Sequence, residues 1–278
     1  MPCPDSDGVP PDRIKNGFNA VNGGVAHRKG ILMNTLIFGF GFLGRPLAEA
    51  LWQRGTPVRA VKRRLTSDDI NLPFELDTLA LTPDSFLPAW ADCRAWVFLL
   101  PPAPLPDYAA TIGALARTAA HCGAAQLVFG SSISVYGDRA RECNEHSPPE
   151  PATASAQAIV AAEQACLASG VANIDILRFG GLYAAERHPV HSLLKRQNNT
   201  GANRPVNMVH RDLAVAALLR ALDTPNGVRV RNIVEPAHPR KAAFYAAEAA
   251  KLGLPAPHFA DHDDGAGKTV RSAYRDLV

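Results

Sequence analysis

The sequence predicts a doubly wound α/β fold, in which helices cover both faces of a mainly parallel sheet. From Asn34 onward, short apolar runs alternate with alanine-rich segments whose apolar residues recur at helical spacing, as at Leu47, Ala50 and Leu51. Strands that alternate with helices imply right-handed crossovers and parallel pairing. A glycine-rich turn, residues 39–44, stands where the first strand would meet the first helix. No internal repeat or low-complexity tract indicates another architecture.

Six apolar runs are the predicted strands. In chain order they read TLIFG, PVRAV, AWVFLL, QLVFGSS, IDILRFGG and VRVRNIV. The segment FELDTLAL, between the second and third of these runs, is a weaker strand candidate. The periodic segments between the runs are the predicted helices, and four of them are closely followed by a glycine that suits a helix end: Gly55, Gly123, Gly170 and Gly253.

The first residues differ from the rest of the chain. Residues 1–32 mix Pro, Gly, Asn and charged residues without a sustained period, which predicts a disordered extension. Met33 directly precedes the first convincing strand. We therefore expect the folding information to begin there, and the extension to come from a misplaced start codon.

Composition and charge exclude several classes of protein. A chain of 278 residues with 47% hydrophobic and 20% charged residues can bury a substantial core. A net charge of +3 gives no reason to expect nucleic acid or an anionic membrane as a partner. The five cysteines are scattered without a C-x-x-C pair, so neither a zinc site nor a disulfide framework is indicated. No run could span a bilayer and no secretory signal is visible, so we expect a cytoplasmic protein.

The glycine turn has the spacing and the context of a dinucleotide-binding fingerprint. An apolar strand leads into Gly39 and a helix is predicted just after Gly44, which completes G-x-G-x-x-G. Gly39 would permit the tight turn, Gly41 would let the backbone approach a pyrophosphate, and Gly44 would let helix and strand pack closely. The alternative is a glycine-rich junction that binds no ligand.

A basic segment follows the second strand. A fold that binds NAD often has an acidic side chain there, which holds the ribose 2′-hydroxyl. This chain has Lys62, Arg63 and Arg64 instead. A carboxylate would repel a 2′-phosphate, whereas ammonium and guanidinium groups attract it, so NADP(H) is favoured over NAD(H). The alternative is a solvated basic loop without a ligand.

Four stretches carry a family resemblance. They read FGFGFLG, LVFGSSISVYGD, LRFGGLY and VNMVHRDLA, and they fall within residues 34 to about 235. Together they resemble the extended short-chain dehydrogenase/reductase family, the NAD(P)-dependent epimerases and dehydratases, and S-S-x-x-V-Y-G is the most specific of the motifs. The spaced glycines are more similar to an atypical branch of this family. The resemblance implies an NAD(P)-binding Rossmann core in residues 33–182. It also implies a smaller C-terminal substrate lobe in residues 183–278, interleaved with the last core strand.

The resemblance also assigns roles to single positions. For the dinucleotide it implies contacts from the following residues: Gly39, Gly41, Phe42, Leu43, Gly44, Lys62, Arg63, Arg64, Leu100, Pro101, Ser131 and Gly180. Ser132, four residues before the tyrosine of V-Y-G, takes the place of the catalytic Ser/Thr. The segment 205–210 corresponds to one that shapes the substrate pocket. Structural alternatives are a loop-capping role for the two serines, an N-cap at Asp212, and a hydrogen-bonded structural histidine at His210.

One family motif is missing from the chain. The family's acid–base pair is Tyr-x-x-x-Lys, in which a nearby cation makes a phenol with an ordinary pKa near ~10 usable at neutral pH. The motif would fall in PATASAQAIVAAEQ, where Ser155 takes the tyrosine position and Ile159 the lysine position. Residues 138–169 contain neither tyrosine nor lysine, so no shift of the alignment restores the pair.

Other side chains are candidates for proton transfer. Tyr136 and Tyr183 are predicted at the carboxyl ends of strands, where such folds bind ligands, so they join Ser132 as candidate catalytic residues. The histidines of RHPVH and the HFADHDD cluster match no recognisable metal motif, and we expect no metal site. Two functions remain open. One is an NADP(H)-dependent oxidoreductase or epimerase, monomeric or homodimeric, acting on a small polar carbonyl substrate. The other is a catalytically inactive NADP(H) sensor.

Overall fold

The computed structural model describes residues 34–103, 105–260 and 265–277. The predicted disordered extension, residues 1–32, lies outside the described residues, as do Asp261 and His262 of the HFADHDD cluster. The described residues all belong to one compact unit, residues 31–278.

Eleven strands and six helices make up the described structure. The strands are β1 Thr35–Phe38, β2 Val58–Lys62, β3 Glu75–Thr78, β4 Ala95–Phe98, β5 Gln126–Ser132, β6 Glu142–Cys143, β7 Asn173–Phe179, β8 Gly181–Tyr183, β9 Met208–His210, β10 Val228–Ile233 and β11 Thr269–Val270. The helices are α1 Gly44–Gln53, α2 Tyr108–His121, α3 Ala154–Leu167, α4 Val190–Leu194, α5 Arg211–Asp223 and α6 Lys241–Lys251.

Seven of the strands form one parallel sheet, which confirms the predicted doubly wound fold. Its strand order is β10-β7-β5-β4-β1-β2-β3. The pairing is parallel throughout, with Ile37 of β1 opposite Ala60 of β2 on one side and Val97 of β4 on the other. The chain leaves β1 in one direction and returns to β4 on its other side, so the strand order reverses there. Folds of this type bind ligands at that reversal, outside the carboxyl ends of the strands.

Alternation along the strands fills a core on each face of the sheet. Phe38 and Phe98 point toward α2 and α3, and they pack with Trp90 and Trp96. Ile37 and its neighbours on the opposite face pack against α1 and α5. Because both faces are covered, the central strands read as continuous apolar runs, which made them easy to identify.

The weaker strand candidate is confirmed as β3, at the edge of the sheet. Its residues are half-buried or exposed, so the apolar signal is diluted there. Asp77 of β3 accepts a hydrogen bond from Arg59 of β2 at 2.8 Å and another from the Trp90 indole at 2.8 Å. These polar contacts tie the edge strand to the core.

A smaller apolar cluster lies in the C-terminal part of the chain. It joins α4, β9 and α6 through Val190, Leu193, Met208, Tyr245 and Ala249. Strands β8 and β9 pair with each other outside the main sheet. Strand β10, from the same part of the chain, is one of the two edge strands of the main sheet. None of the described helices is long and apolar enough to cross a membrane.

The end of the chain returns to the loop after β5. Strand β11 pairs with β6, and Lys268 just before it donates hydrogen bonds to the carbonyl oxygens of Ile133, at 2.8 Å, and Gly137. Both carbonyls belong to residues of the S-x-x-V-Y-G turn, one near its start and one at its end. Burial lowers the pKa of Lys268, and the backbone carbonyls give its ammonium group polar partners. Residues 268–270 therefore support the turn that follows Ser132.

Candidate active site

A cavity of about 940 Å³ lies at the carboxyl ends of the sheet strands, where the strand order reverses. Its walls come from the glycine turn, the ends of β2, β4 and β5, the start of α2, and α3. Eleven of the predicted site residues line it, namely Gly39, Gly41, Phe42, Leu43, Lys62, Arg63, Arg64, Leu100, Pro101, Ser131 and Ser132. Gly44, Gly180, Tyr136 and Tyr183 are not among the lining residues.

The three fingerprint glycines have different surroundings. Gly39 has a φ of +101°, and a Cβ there would lie 2.6 Å from the Leu99 carbonyl oxygen. A Cβ on Gly44 would collide with the Gly39 carbonyl, so the close approach of α1 to the turn requires glycine. A Cβ on Gly41 would meet no protein atom within 4 Å. The side of Gly41 on which a Cβ would stand therefore faces open space, and this residue lines the cavity just before α1.

The basic end of the cavity is organised by a buried carboxylate. The Asp69 side chain, 1% exposed, pairs with Lys62 from β2 and with Arg45 from α1. Both cations also lie near the Phe40 ring, with the Arg45 guanidinium 4.7 Å and the Lys62 ammonium 5.8 Å from its centroid. Burial would raise the pKa of Asp69, but the hydrogen bonds from Lys62 and Thr66 outweigh it and hold the pKa at about 2.

Asp69 was missed by the sequence reasoning, although a local signal exists. Thr66 and Asp69 form a capping box, in which the Thr66 backbone N–H and hydroxyl donate to the Asp69 carboxylate at 2.7 and 2.8 Å. The S/T-x-x-acid spacing in TSDD marks such a turn. The single negative charge of Asp69 balances only one of the two cations that it contacts, and Arg63 and Arg64 add two more positive charges. This end of the cavity therefore keeps a net positive charge.

The opposite end of the cavity is lined by serines and apolar groups. Ser131 and Ser132 reach it from the end of β5, and Ser155 and Ile159 reach it from one face of α3. The Ser132 hydroxyl oxygen accepts a hydrogen bond from the Ser134 N–H at 3.1 Å. Its own proton is therefore available to a ligand. Ser155 and Ile159 line the cavity beside these serines, at the four-residue spacing expected of the family's tyrosine and lysine.

A buried ion pair lies directly behind Ser131. Glu163, one helical turn beyond Ile159, accepts hydrogen bonds from Arg178 of β7 through both of its oxygens, at 2.9 and 2.6 Å. The Ser131 hydroxyl also donates to Glu163. Glu163 and Arg178 are only 4% and 6% exposed. The pair therefore anchors α3 to the centre of the sheet and orients the Ser131 side chain.

Tyr136 belongs to this buried network rather than to the cavity wall. Its side chain is 0% exposed, its hydroxyl donates to Asn232 at 2.9 Å, and it accepts from Arg178 at 2.9 Å. Burial raises the pKa of Tyr136, although Arg178 opposes the shift. With no surface on the cavity and both hydrogen-bonding roles occupied, Tyr136 is not positioned to exchange a proton with a ligand there.

Tyr183 is also engaged elsewhere. Its hydroxyl donates to Glu235 at 2.9 Å, and its ring makes edge contacts with His188, His210 and Phe244. Burial and the neighbouring Glu235 carboxylate raise the pKa of Tyr183. A phenol that is harder to ionise and already bound to a carboxylate is a poor acid–base group, and this placement argues against the role expected of it.

His210, not Asp212, caps helix α5. The helix begins at Arg211, and the His210 Nδ1 accepts a hydrogen bond from the Asp212 N–H at 3.3 Å. Asp212 lies in the first turn instead, where a carboxylate complements the helix dipole. The expected N-cap at Asp212 is therefore wrong by two residues, and the structural interpretation of His210 agrees with its capping contact.

Gly180 has a packing role at the end of β7. A Cβ at this position would lie 2.7 Å from the Asn207 carbonyl oxygen. Its N–H donates to the Ile233 carbonyl at 3.0 Å. These contacts bring β7 close to the segment before β9, and they account for the glycine without a ligand.

Positive charge dominates the ionic groups of the cavity wall. The lining residues include Lys62, Arg63, Arg64 and Arg187, and no Asp or Glu is among them. The site therefore suits an anionic ligand. In the described part of the chain, no cluster of three or more His, Cys, Asp or Glu side chains could hold a metal ion. His188 accepts a hydrogen bond from the Val190 N–H at 3.1 Å instead.

Comparison with known proteins identifies relatives along most of the chain. This chain is 32% identical over 253 residues to protein YeeZ of Escherichia coli K12, and the match covers 86% of this chain and 91% of YeeZ. YeeZ of Escherichia coli O157:H7 matches with the same identity and coverage. No family model matches the chain.

Solved structures share the fold at lower identity. MoeE5 in complex with UDP-glucose and NAD is 21% identical, with a TM-score of 0.70 over 86% of this chain and 88% of MoeE5. The UDP-N-acetylglucosamine 4-epimerase from Bacillus cereus is 17% identical, with a TM-score of 0.71 over 87% of this chain and 90% of the epimerase. WbmG of Bordetella bronchiseptica, in complex with NAD and UDP, is 20% identical, with a TM-score of 0.71 over 86% of this chain and 85% of WbmG.

The fold, the motifs and the relatives agree. The glycine turn, the S-S-x-x-V-Y-G turn after β5 and the parallel sheet stand in the order expected from the sequence. This chain therefore belongs to the same family as YeeZ, and it shares its fold with NAD-dependent epimerases and dehydratases of solved structure.

Proposed function

We propose that the chain is an NADP(H)-dependent oxidoreductase or epimerase that acts on a small polar carbonyl substrate, sugar-like or nucleotide-linked. One observation carries this proposal. A single cavity joins the glycine turn, the basic segment after β2 and the two serines after β5. A nicotinamide dinucleotide needs those features in that order, for its diphosphate, its adenosine ribose and its reactive ring.

The preference for NADP(H) rests on the basic end of the cavity. Lys62, Arg63 and Arg64 line it, and the lining residues include no carboxylate that would repel a 2′-phosphate. Asp69 is not among the lining residues, and its carboxylate is engaged by Lys62, Arg45 and Thr66. The ion pair holds Lys62 in place, while Arg63 and Arg64 supply further guanidinium groups for the phosphate.

We expect the triple variant Lys62→Ala, Arg63→Ala, Arg64→Ala to bind NADPH at least about 10- to 100-fold more weakly, since the loss of even one charge-assisted hydrogen bond costs about 1.5–3 kcal/mol. NADH binding should change little, because NADH has no 2′-phosphate. NADPH fluorescence titration and calorimetry measure both affinities. Arg220→Ala, an exposed arginine of α5, is the control. Equal affinity of the unaltered protein for NADH and NADPH would contradict the preference.

The chemistry proposed for the other end depends on Ser132. A bound nicotinamide supplies or accepts hydride at the substrate carbon. The Ser132 hydroxyl, whose oxygen accepts from the Ser134 N–H, can donate a hydrogen bond to the substrate carbonyl oxygen and so orient it. Ser155 and Ile159 provide neither the phenol nor the cation that the family uses, so this site holds a carbonyl without the usual acid–base pair.

A carbonyl panel with NADPH tests this activity. The panel should contain UDP-sugars, because MoeE5 and WbmG were solved with UDP-glucose and UDP. On any substrate that is turned over, Ser132→Ala should lower kcat by about 10²- to 10³-fold, the usual effect of removing one donor to a developing oxyanion. A rate unchanged in Ser132→Ala would remove Ser132 from the mechanism.

A second candidate function is a catalytically inactive NADP(H) sensor. The observation that favours it is that Ser155 and Ile159, which the sequence alignment assigns to the tyrosine and lysine positions, line the cavity. The sensor hypothesis and the enzyme hypothesis predict the same affinity for the coenzyme, but only the enzyme hypothesis predicts substrate turnover. Tight NADPH binding with no oxidation across the panel would favour the sensor. A crystal soaked with NADP would show which side chain approaches the nicotinamide C4 atom.

A further inference from the structure

We propose that the Arg187 guanidinium binds the diphosphate of the coenzyme from the side opposite to the glycine turn. This inference rests on the proposed function, and it assigns a coenzyme-binding role to a residue outside the fingerprint. Arg187 lies in the short 3₁₀ turn after β8 and lines the same cavity as Gly41 and Phe42.

The position of Arg187 is set by Phe42. The guanidinium carbon lies 4.9 Å from the centroid of the Phe42 ring, a distance at which a cation is attracted to an aromatic face. Phe42 directly follows Gly41, which faces open space on the side where a Cβ would stand. The aromatic ring therefore holds a cation at the mouth of the cavity, beside the backbone expected to contact a diphosphate.

Arg187 has no competing anion in the described structure. Its side chain makes no ion pair or hydrogen bond with any described residue, and it is exposed. Arg211 makes an informative contrast. Its guanidinium lies 5.7 Å from the same Phe42 ring but is paired with Glu186 and Asp212, and it does not line the cavity. Of two arginines near Phe42, the one on the cavity is therefore the one whose donors are available.

The charges of the cavity wall and of the coenzyme indicate an anionic partner for Arg187. The basic residues after β2, of which Lys62 already pairs with Asp69, would face the 2′-phosphate at that end. A diphosphate brings two further negative charges to the glycine turn. The amino end of α1 supplies only about +0.5 of an elementary charge, and its first turn contains no acidic residue. A planar guanidinium can donate two parallel hydrogen bonds to phosphate oxygens, which suits the diphosphate.

Ligands that lack one phosphate group or the other test the assignment. Calorimetry would compare NADPH, ADP-ribose, which has the diphosphate but no 2′-phosphate, and 2′-AMP, which has only the 2′-phosphate. We expect Arg187→Ala to weaken NADPH and ADP-ribose binding at least tenfold and 2′-AMP binding less than twofold. Arg211→Ala should change all three affinities by less than twofold. Melting curves would confirm that both variants are folded.

Arg187→Met separates charge from packing, because it keeps an apolar stem beside Phe42 without the guanidinium. We expect it to bind ADP-ribose as weakly as Arg187→Ala. Wild-type affinity in Arg187→Met or Arg187→Ala would overturn the assignment, as would an equal loss of 2′-AMP binding, which would place Arg187 at the adenosine end. If the unaltered protein bound neither NADPH nor ADP-ribose, the proposed function itself would fail, which is a different result from these.

Discussion

Glu163→Ala is expected to lower the free energy of unfolding by about 3–5 kcal/mol, because it leaves the Arg178 guanidinium buried without its counter-charge. Arg178 is 6% exposed and makes both of its carboxylate contacts with Glu163. Burial lowers the pKa of Arg178, but the ion pair with Glu163 outweighs it and raises the pKa. The arginine stays charged even in the variant, because the ordinary pKa of a guanidinium lies far above neutral pH. Urea denaturation measures the loss. A change below about 1 kcal/mol, typical of exposed pairs, would contradict the prediction.

Two controls separate burial of the charge from loss of the contact. The double variant Glu163→Leu, Arg178→Met removes both charges and should recover most of the stability, since apolar replacement of a buried pair is often neutral. Glu150→Ala breaks the more exposed pair with Arg141 and should cost less than about 1 kcal/mol. The Ser131 hydroxyl loses its acceptor in both Glu163 variants, so any effect on NADPH binding can be compared between them.

Gly41→Ala is expected to weaken NADPH binding by more than about 100-fold, because its Cβ would occupy the space that the diphosphate needs. The protein itself should tolerate the change. A Cβ at Gly41 meets no protein atom within 4 Å, and its φ lies outside the left-handed region. Fluorescence titration should therefore show lost binding, while melting curves show a nearly unchanged Tm.

Gly44→Ala is the matched comparison for Gly41→Ala. Its Cβ would collide with the Gly39 carbonyl, so both stability and binding should fall. A Gly41→Ala protein that binds NADPH normally would show that the diphosphate does not lie against this backbone. A Gly41→Ala protein with a strongly lowered Tm would show instead that the residue is needed for folding.

The sheet was predictable because its signal is local. Each central strand is buried on both faces, so the apolar runs AWVFLL and QLVFGSS coincide closely with β4 and β5. The glycine turn was predictable because its spacing is a local pattern, and Gly44 is required by the carbonyl of Gly39 five residues earlier. The close contact of Gly39 with Leu99, just after β4, is the part that depends on a distant segment. The weak signal of β3 reflects its half-exposed place at the edge of the sheet.

The site was less predictable because it depends on contacts between distant segments. Tyr136 follows a strand, as a ligand-binding residue would, yet its hydroxyl is held by Arg178 and Asn232, 42 and 96 residues away. Asp69 neutralises Lys62 only because the turn after β2 folds back onto that strand. Arg187 reaches Phe42 across more than half the chain. Periodicity and motif spacing contain no information on such pairings.

The contact of Lys268 with the turn after β5 has a consequence for biosynthesis. The two carbonyls it binds belong to Ile133 and Gly137, more than 130 residues earlier. During translation, β5 and its serines leave the ribosome long before their support does. The sheet around β1, β4 and β5 can therefore assemble on the nascent chain, while the serine loop gains its contacts with Lys268 only after that residue has left the ribosome.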